Sequence, residues 1–195
     1  FGMPENPGYL GVCFGCLITA NSPASQMPVP ANWEAVLWHE FCHTVTLAMT
    51  KNKMPRWLSE GISVYEERQA NPNWGQSMTP RYREMILGGE LTPVGKLSGA
   101  FLAPPSPEYL QFAYYQSSLV IEYLVERFGH ESIKVILGKL AGGTEINAAL
   151  SDVAEPLDTL EASFESFATQ KAYAFGPGLD WEKPNPAELP DVAPE

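Results

Sequence analysis

The sequence His-Glu-Phe-Cys-His at positions 39–43 constrains the fold of this chain more than any other feature. Residues four apart lie one above the other on a helix, about 6 Å apart, so His39 and His43 can share one metal ion if the segment is helical. Glu40 is turned about 100° round the same helix. We therefore expect Glu40 to reach a water beside the metal, rather than the metal itself, and to act as a general base.

A second segment, at 55–67, has the sequence Pro-Arg-Trp-Leu-Ser-Glu-Gly-Ile-Ser-Val-Tyr-Glu-Glu, and sixteen residues separate His43 from Glu60. Together the two segments resemble the gluzincin zinc metallopeptidases. More narrowly, they resemble the peptidase-MA-like domains found beside tetratricopeptide repeats in bacterial proteins. The resemblance implies one zinc ion per chain, with Glu60 as the third ligand beside His39 and His43. Three protein ligands and one open position are what a catalytic zinc site requires.

The resemblance also implies roles for two other residues. Glu67 follows Glu60 by two helical turns, and in gluzincin aminopeptidases a glutamate at that offset supports a histidine ligand. The segment 113–124 resembles the family helix that carries an oxyanion-stabilising tyrosine, which falls on Tyr114. Tyr115 would point about 100° away. The alternatives are an exposed acidic helix end for Glu67 and a core or capping aromatic for Tyr114.

Composition and periodicity predict one folded domain with a short tail. Hydrophobic residues make up 45% of the 195 residues and charged residues 18%, which is the balance of a globular protein. The periodicity predicts a predominantly helical α+β fold with a small N-terminal β element in the apolar run Tyr9–Ala20. The resemblance implies that this fold is zincin-like. The domain is expected over 1–175 and a Pro-rich acidic tail over 176–195. Helices are predicted at 33–50, 55–68, 80–87, 94–97, 108–128, 131–140, 145–150 and 156–173.

The charge and the hydropathy exclude several classes of partner. The net charge is −11, and a nucleic-acid or anionic-membrane surface would need clustered Lys and Arg. No apolar stretch approaches the roughly 20 residues of a membrane span. The expected partner is a peptide or protein substrate, and the resemblance implies tetratricopeptide repeats upstream in the full-length chain. Because the chain begins at Phe1, we expect it to be part of a longer protein, and its localisation stays open.

The sequence is consistent with three functions. The first is an active zinc peptidase, the second a non-catalytic binding module within a larger repeat protein, and the third a zinc hydrolase of a non-peptide bond. A scaffold has no need of Glu40, which binds no metal, so the enzyme is favoured. Residues 2–6, Gly-Met-Pro-Glu-Asn, depart from the Gly-x-Met-Glu-Asn motif of aminopeptidases because Pro4 separates Met from Glu. An endopeptidase is therefore favoured over an aminopeptidase.

The three cysteines, Cys13, Cys16 and Cys42, do not predict a disulfide framework, because their number is low and odd. A structural zinc site at the Cys-x-x-Cys pair would need two further ligands. We interpret Cys13 and Cys16 as small residues at a strand turn, and Cys42 as a core residue of the helix that carries the two histidines.

Overall fold

The computed structural model of the protein describes residues 11–14, 17–22, 24 and 32–182. These residues form a mostly helical α+β structure, which confirms the predicted fold class. The strands β1 and β2 are antiparallel, with Gly11 opposite Ala20 and Phe14 opposite Leu17. In chain order the described elements are β1 (Gly11–Phe14), β2 (Leu17–Ala20), α1 (Trp33–Thr50), α2 (Arg56–Ala70), α3 (Pro80–Leu87), a 3-10 turn (Val94–Lys96), α4 (Leu97–Leu102), α5 (Pro107–Phe128), α6 (His130–Gly142), α7 (Ile146–Val153) and α8 (Leu157–Ala174).

Local sequence explains where the main helices begin and end. The side chain of Asn32 caps α1 by accepting from the N–H of Ala35, and Ser106 caps α5 in the same way. Helix α1 ends where Lys51 and Asn52 both adopt a positive φ. Helix α5 ends at Gly129, whose φ of 79° is accessible to glycine without strain.

Helix α5 is the centre of the core. Helices α2, α4, α6 and α8 all pack against it, and its inward side chains, such as Leu119 and Leu124, are buried. Gly61 of α2 faces the backbone of Ser117 of α5, and a Cβ atom at Gly61 would lie 2.7 Å from the Ser117 carbonyl oxygen. A glycine at this position therefore lets α2 and α5 approach closely, which brings Glu60 near Tyr114.

Helix α1 lies at the edge of the core. One side packs against α2, α6 and both strands. The opposite side exposes large apolar residues, namely Trp33, Leu37, Trp38, Phe41, Val45 and Met49. The buried residues of α1 are the polar Glu40, Thr46 and Thr50, so its large apolar side chains face away from the described core.

The predicted helices are all present, with ends that differ by a few residues. The largest difference lies at 94–97, where a single short helical piece was expected. The structure has a 3-10 turn at Val94–Lys96 followed by α4, which continues to Leu102. Leu97 and Phe101, four residues apart on α4, are both buried, and this packing extends the helix beyond its expected end.

Three sequence features lie wholly or partly outside the described residues: the segment 2–6, Cys16 and the tail beyond 182. The described start of the tail returns to the domain, where the ring of Trp181 lies 4.1 Å from the Arg83 guanidinium carbon. The division at residue 176 follows the end of α8 at Ala174 and stays a prediction. None of the described helices is both long enough and apolar enough to cross a membrane.

Candidate metal centre

The structure brings the three predicted metal ligands together between α1 and α2. Oε2 of Glu60 lies 3.1 Å from Nε2 of His39 and 3.3 Å from Nε2 of His43. The ligand atoms of the three residues all lie within 4.8 Å of one another. Their role as ligands stays a prediction, but the helical spacing of the two histidines and the approach of α2 bring all three donors close enough for one ion.

The arrangement fits a zinc ion. Zinc bonds of about 2.1 Å in a tetrahedral site separate neighbouring ligand atoms by about 3.4 Å. The two distances from Glu60 Oε2 to the histidine nitrogens, 3.1 and 3.3 Å, are close to that separation. Two imidazoles and one carboxylate are also a common donor set for catalytic zinc.

The outer nitrogens of both histidines have partners, so each ring is held with Nε2 facing the centre. Nδ1 of His39 lies 2.5 Å from Oε1 of Glu67. Nδ1 of His43 lies 2.8 Å from Oγ of Ser59 and 3.2 Å from Oγ of Ser63. Partners of this kind fix the tautomer and orientation of metal-binding imidazoles. The contact of Glu67 was expected from the sequence, whereas those of Ser59, one residue before Glu60, and Ser63, three residues after it, were not.

Two neighbouring carboxylates change the protonation of His39. Burial lowers the pKa of His39, but hydrogen bonds and charges from Glu60 and Glu67 outweigh burial and raise this pKa to about 9. Burial would raise the pKa of Glu60, yet hydrogen bonds from both histidines hold that pKa well below its usual range. Without a metal the site is therefore an ion-paired cluster, and a metal that binds to His39 must displace a proton.

Glu40 lies beside this cluster, under strand β1. Glu40 is only 8% exposed, and its carboxylate accepts a hydrogen bond from the backbone N–H of Cys13. Burial raises the pKa of Glu40, although the charges of the two histidines and the bond from Cys13 oppose this effect. A Cβ atom at Gly11 would lie 2.9 Å from Cγ of Glu40, so the strand can lie this close only with glycine there.

The two neighbouring tyrosines of α5 have different surroundings. The Tyr114 hydroxyl donates to Oε1 of Glu60 at 3.5 Å. The Tyr115 ring is buried and stacks on Tyr82, and its hydroxyl bonds the sulfur of Met78 at 3.7 Å. Of the two, the structure brings Tyr114 to the candidate metal centre.

Arg56 joins the group and was not identified from the sequence. Its Nε–H donates to Glu60 Oε1 at 3.2 Å, and an Nη2–H donates to the Tyr114 hydroxyl at 2.9 Å. The sequence signal for Arg56 is its position four residues before Glu60, because side chains at this spacing meet on one face of a helix and can form an ion pair.

Comparison with known protein families identifies the family of this chain. A family model of the Peptidase MA superfamily matches residues 27–169, which is most of the chain and includes α1, α2 and α5. No curated protein and no solved structure is significantly similar to the chain. The chain belongs to the Peptidase MA superfamily.

Proposed function

We propose that this protein is a zinc-dependent peptidase of the gluzincin type. The observation that carries the proposal is the grouping of one ligand atom each from His39, His43 and Glu60 within 4.8 Å of one another, with Oε2 of Glu60 3.1 and 3.3 Å from the two Nε2 atoms. A zinc ion held there would lower the pKa of a coordinated water to about 7.

The remaining chemistry belongs to side chains of this chain. Glu40 takes a proton from the attacking water and passes it to the leaving amine. Its burial beside the histidines supports this role, because a poorly solvated carboxylate is a stronger base than a solvated one. The Tyr114 hydroxyl donates to the carbonyl oxygen as that oxygen becomes negative. An endopeptidase is favoured because Pro4 interrupts the motif typical of aminopeptidases.

Metal analysis combined with peptide-library cleavage tests the proposal. The purified protein is expected to hold one zinc ion per chain and to cut peptides at internal bonds, which mass spectrometry of the products would detect. Removal of single residues from peptide N-termini would favour the aminopeptidase alternative. Full zinc occupancy without cleavage of any library peptide would favour the alternative of a non-catalytic binding module.

The Tyr114→Phe variant is expected to keep its zinc and fold but to lose about 10²-fold in kcat, the usual effect of removing one oxyanion donor. Tyr115→Phe is the matched control, since it removes the neighbouring hydroxyl from a buried ring. Its kcat is expected to stay near that of the wild type. If Tyr115→Phe has the larger effect in steady-state kinetics, the assignment of the two tyrosines must be reversed.

The Gly11→Ala variant is expected to reduce kcat by about 10- to 100-fold without loss of zinc. The added methyl group would lie 2.7 Å from Val36 Cγ1 and 3.0 Å from Glu40 Oε1, so it displaces the general base. A displacement near 1 Å can lower a rate by about 10²-fold. Gly138→Ala in α6 is the control, because nothing lies within 4 Å of its added Cβ atom. Equal activity of the two variants would show that β1 does not position Glu40.

A further inference from the structure

Arg56, the first residue of α2, contacts two groups of the candidate site at once. Its Nε–H and Nη2–H bonds reach Glu60 Oε1 and the Tyr114 hydroxyl. The guanidinium carbon lies 5.4 Å from the ring centroid of Phe101 and 6.0 Å from that of Tyr114. The Phe101 and Tyr114 rings pack edge to face, with centroids 5.1 Å apart. Groups on three helices, α2, α4 and α5, therefore contact the Arg56 side chain.

The hydrogen bond from Arg56 gives the two oxygens of the Glu60 carboxylate different partners. Oε2 is the oxygen near both histidines, whereas Oε1 accepts from Arg56. A guanidinium on Oε1 keeps that oxygen from turning toward a metal. Glu60 would then bind through one oxygen only, which leaves room for water and substrate at the open position.

The bond to Tyr114 acts on the hydroxyl itself. A hydroxyl oxygen that accepts a charge-assisted hydrogen bond is polarised and donates its own proton more strongly. The same bond restricts rotation of the phenol, since the hydroxyl is tied to a guanidinium that α4 and α5 also contact.

We propose that Arg56 is a positioning residue, which makes Glu60 a one-oxygen metal ligand and orients the Tyr114 hydroxyl beside it. The proposal rests on the peptidase function proposed above. Lysine could not replace Arg56, because an ammonium group is a point charge and lacks the planar fork that serves two acceptors.

Cobalt substitution tests the effect on the metal without any measurement of hydrolysis. Visible absorption of cobalt(II) weakens as its coordination number rises. In Arg56→Met, Glu60 Oε1 keeps only the long 3.5 Å bond from the Tyr114 hydroxyl and can turn toward the metal, so the cobalt-loaded variant is expected to absorb more weakly than the wild type. Arg81→Met is the matched control: the Arg56 and Arg81 side chains are both 44% exposed, and each makes an ion pair along its own helix. Its cobalt spectrum should equal that of the wild type.

A double-mutant cycle tests the effect on Tyr114. Arg56→Met alone is expected to lower kcat by about tenfold, with a smaller change in KM. In the Tyr114→Phe background the same substitution should change kcat by less than about threefold, because the group it orients is already absent. Arg56→Lys, which keeps the charge, is expected to resemble Arg56→Met and serves in its place if the Met variant does not fold.

The outcomes separate this proposal from the proposed function. If the wild type binds cobalt but cuts no peptide, the peptidase function is wrong and the spectra still decide the effect of Arg56 on Glu60. If the Arg56 variants give the wild-type spectrum, or if the effects of Arg56→Met and Tyr114→Phe on kcat simply multiply, the positioning role is wrong. A protein that binds no cobalt at these residues would overturn both proposals.

Discussion

The Glu40→Gln variant should keep its zinc and its melting temperature while peptide hydrolysis falls by about 10³-fold. Glutamine has nearly the same size and can still accept from the N–H of Cys13, but it cannot take a proton from water. General acid–base catalysis by one group contributes about 10²- to 10⁴-fold, which sets the expected loss. Zinc is measured by mass spectrometry of the metal and hydrolysis with a cleaved library peptide.

Glu34→Gln is the control for this change, since it removes one negative charge from the exposed first turn of the same helix. Its hydrolysis rate is expected to match that of the wild type. The water-activation mechanism would be wrong if Glu40→Gln cleaved as fast as Glu34→Gln. A loss of zinc from Glu40→Gln would instead mean that the residue supports the metal.

The His43→Ala variant should lose zinc and, with it, all measurable hydrolysis. Even the loss of a residue that only supports a ligand weakens metal binding by about 10- to 100-fold, and removal of a ligand should cost more. The loss of zinc should also lower the thermal stability of the protein. A ligand at 1,000 times its Kd stabilises the native state by about 4 kcal/mol, so a chelator should lower the melting temperature of the wild type but not of the variant.

His130→Ala provides the control, because His130 is the third and last histidine of the chain and lies at the exposed start of α6. Its zinc content and its response to chelator should equal those of the wild type. Full zinc occupancy in His43→Ala would contradict the predicted ligand set.

The fold was largely predictable because its helices carry strong local signals. Asn32 and Ser106 begin two helices by capping them, and Gly129 ends one. What could not be predicted is which side of α1 is buried. Large apolar residues such as Leu37 and Phe41 lie on its exposed side while its buried residues are polar, so the rule that an apolar stripe faces the core indicates the wrong side.

The candidate site was predictable where roles depend on spacing along one helix. His39 and His43 meet because they are four residues apart, and the resemblance supplied Glu60, Glu67 and Tyr114. Gly11 and Arg56 could not be found in that way. Their contacts with Glu40 and Tyr114 join elements distant in sequence, and such contacts follow from tertiary packing that local patterns do not encode.

The connection between α1 and α2 has a consequence for the order of folding. Only five residues, 51–55, separate the two helices, and all three predicted ligands lie between positions 39 and 60. Closing so short a loop costs little chain entropy, and local contacts form quickly. Tyr114 lies 54 positions after Glu60 and must wait for α5 to dock. If the three predicted ligands hold a metal ion, the helix pair can capture it while the chain is still folding, before Tyr114 arrives beside Glu60.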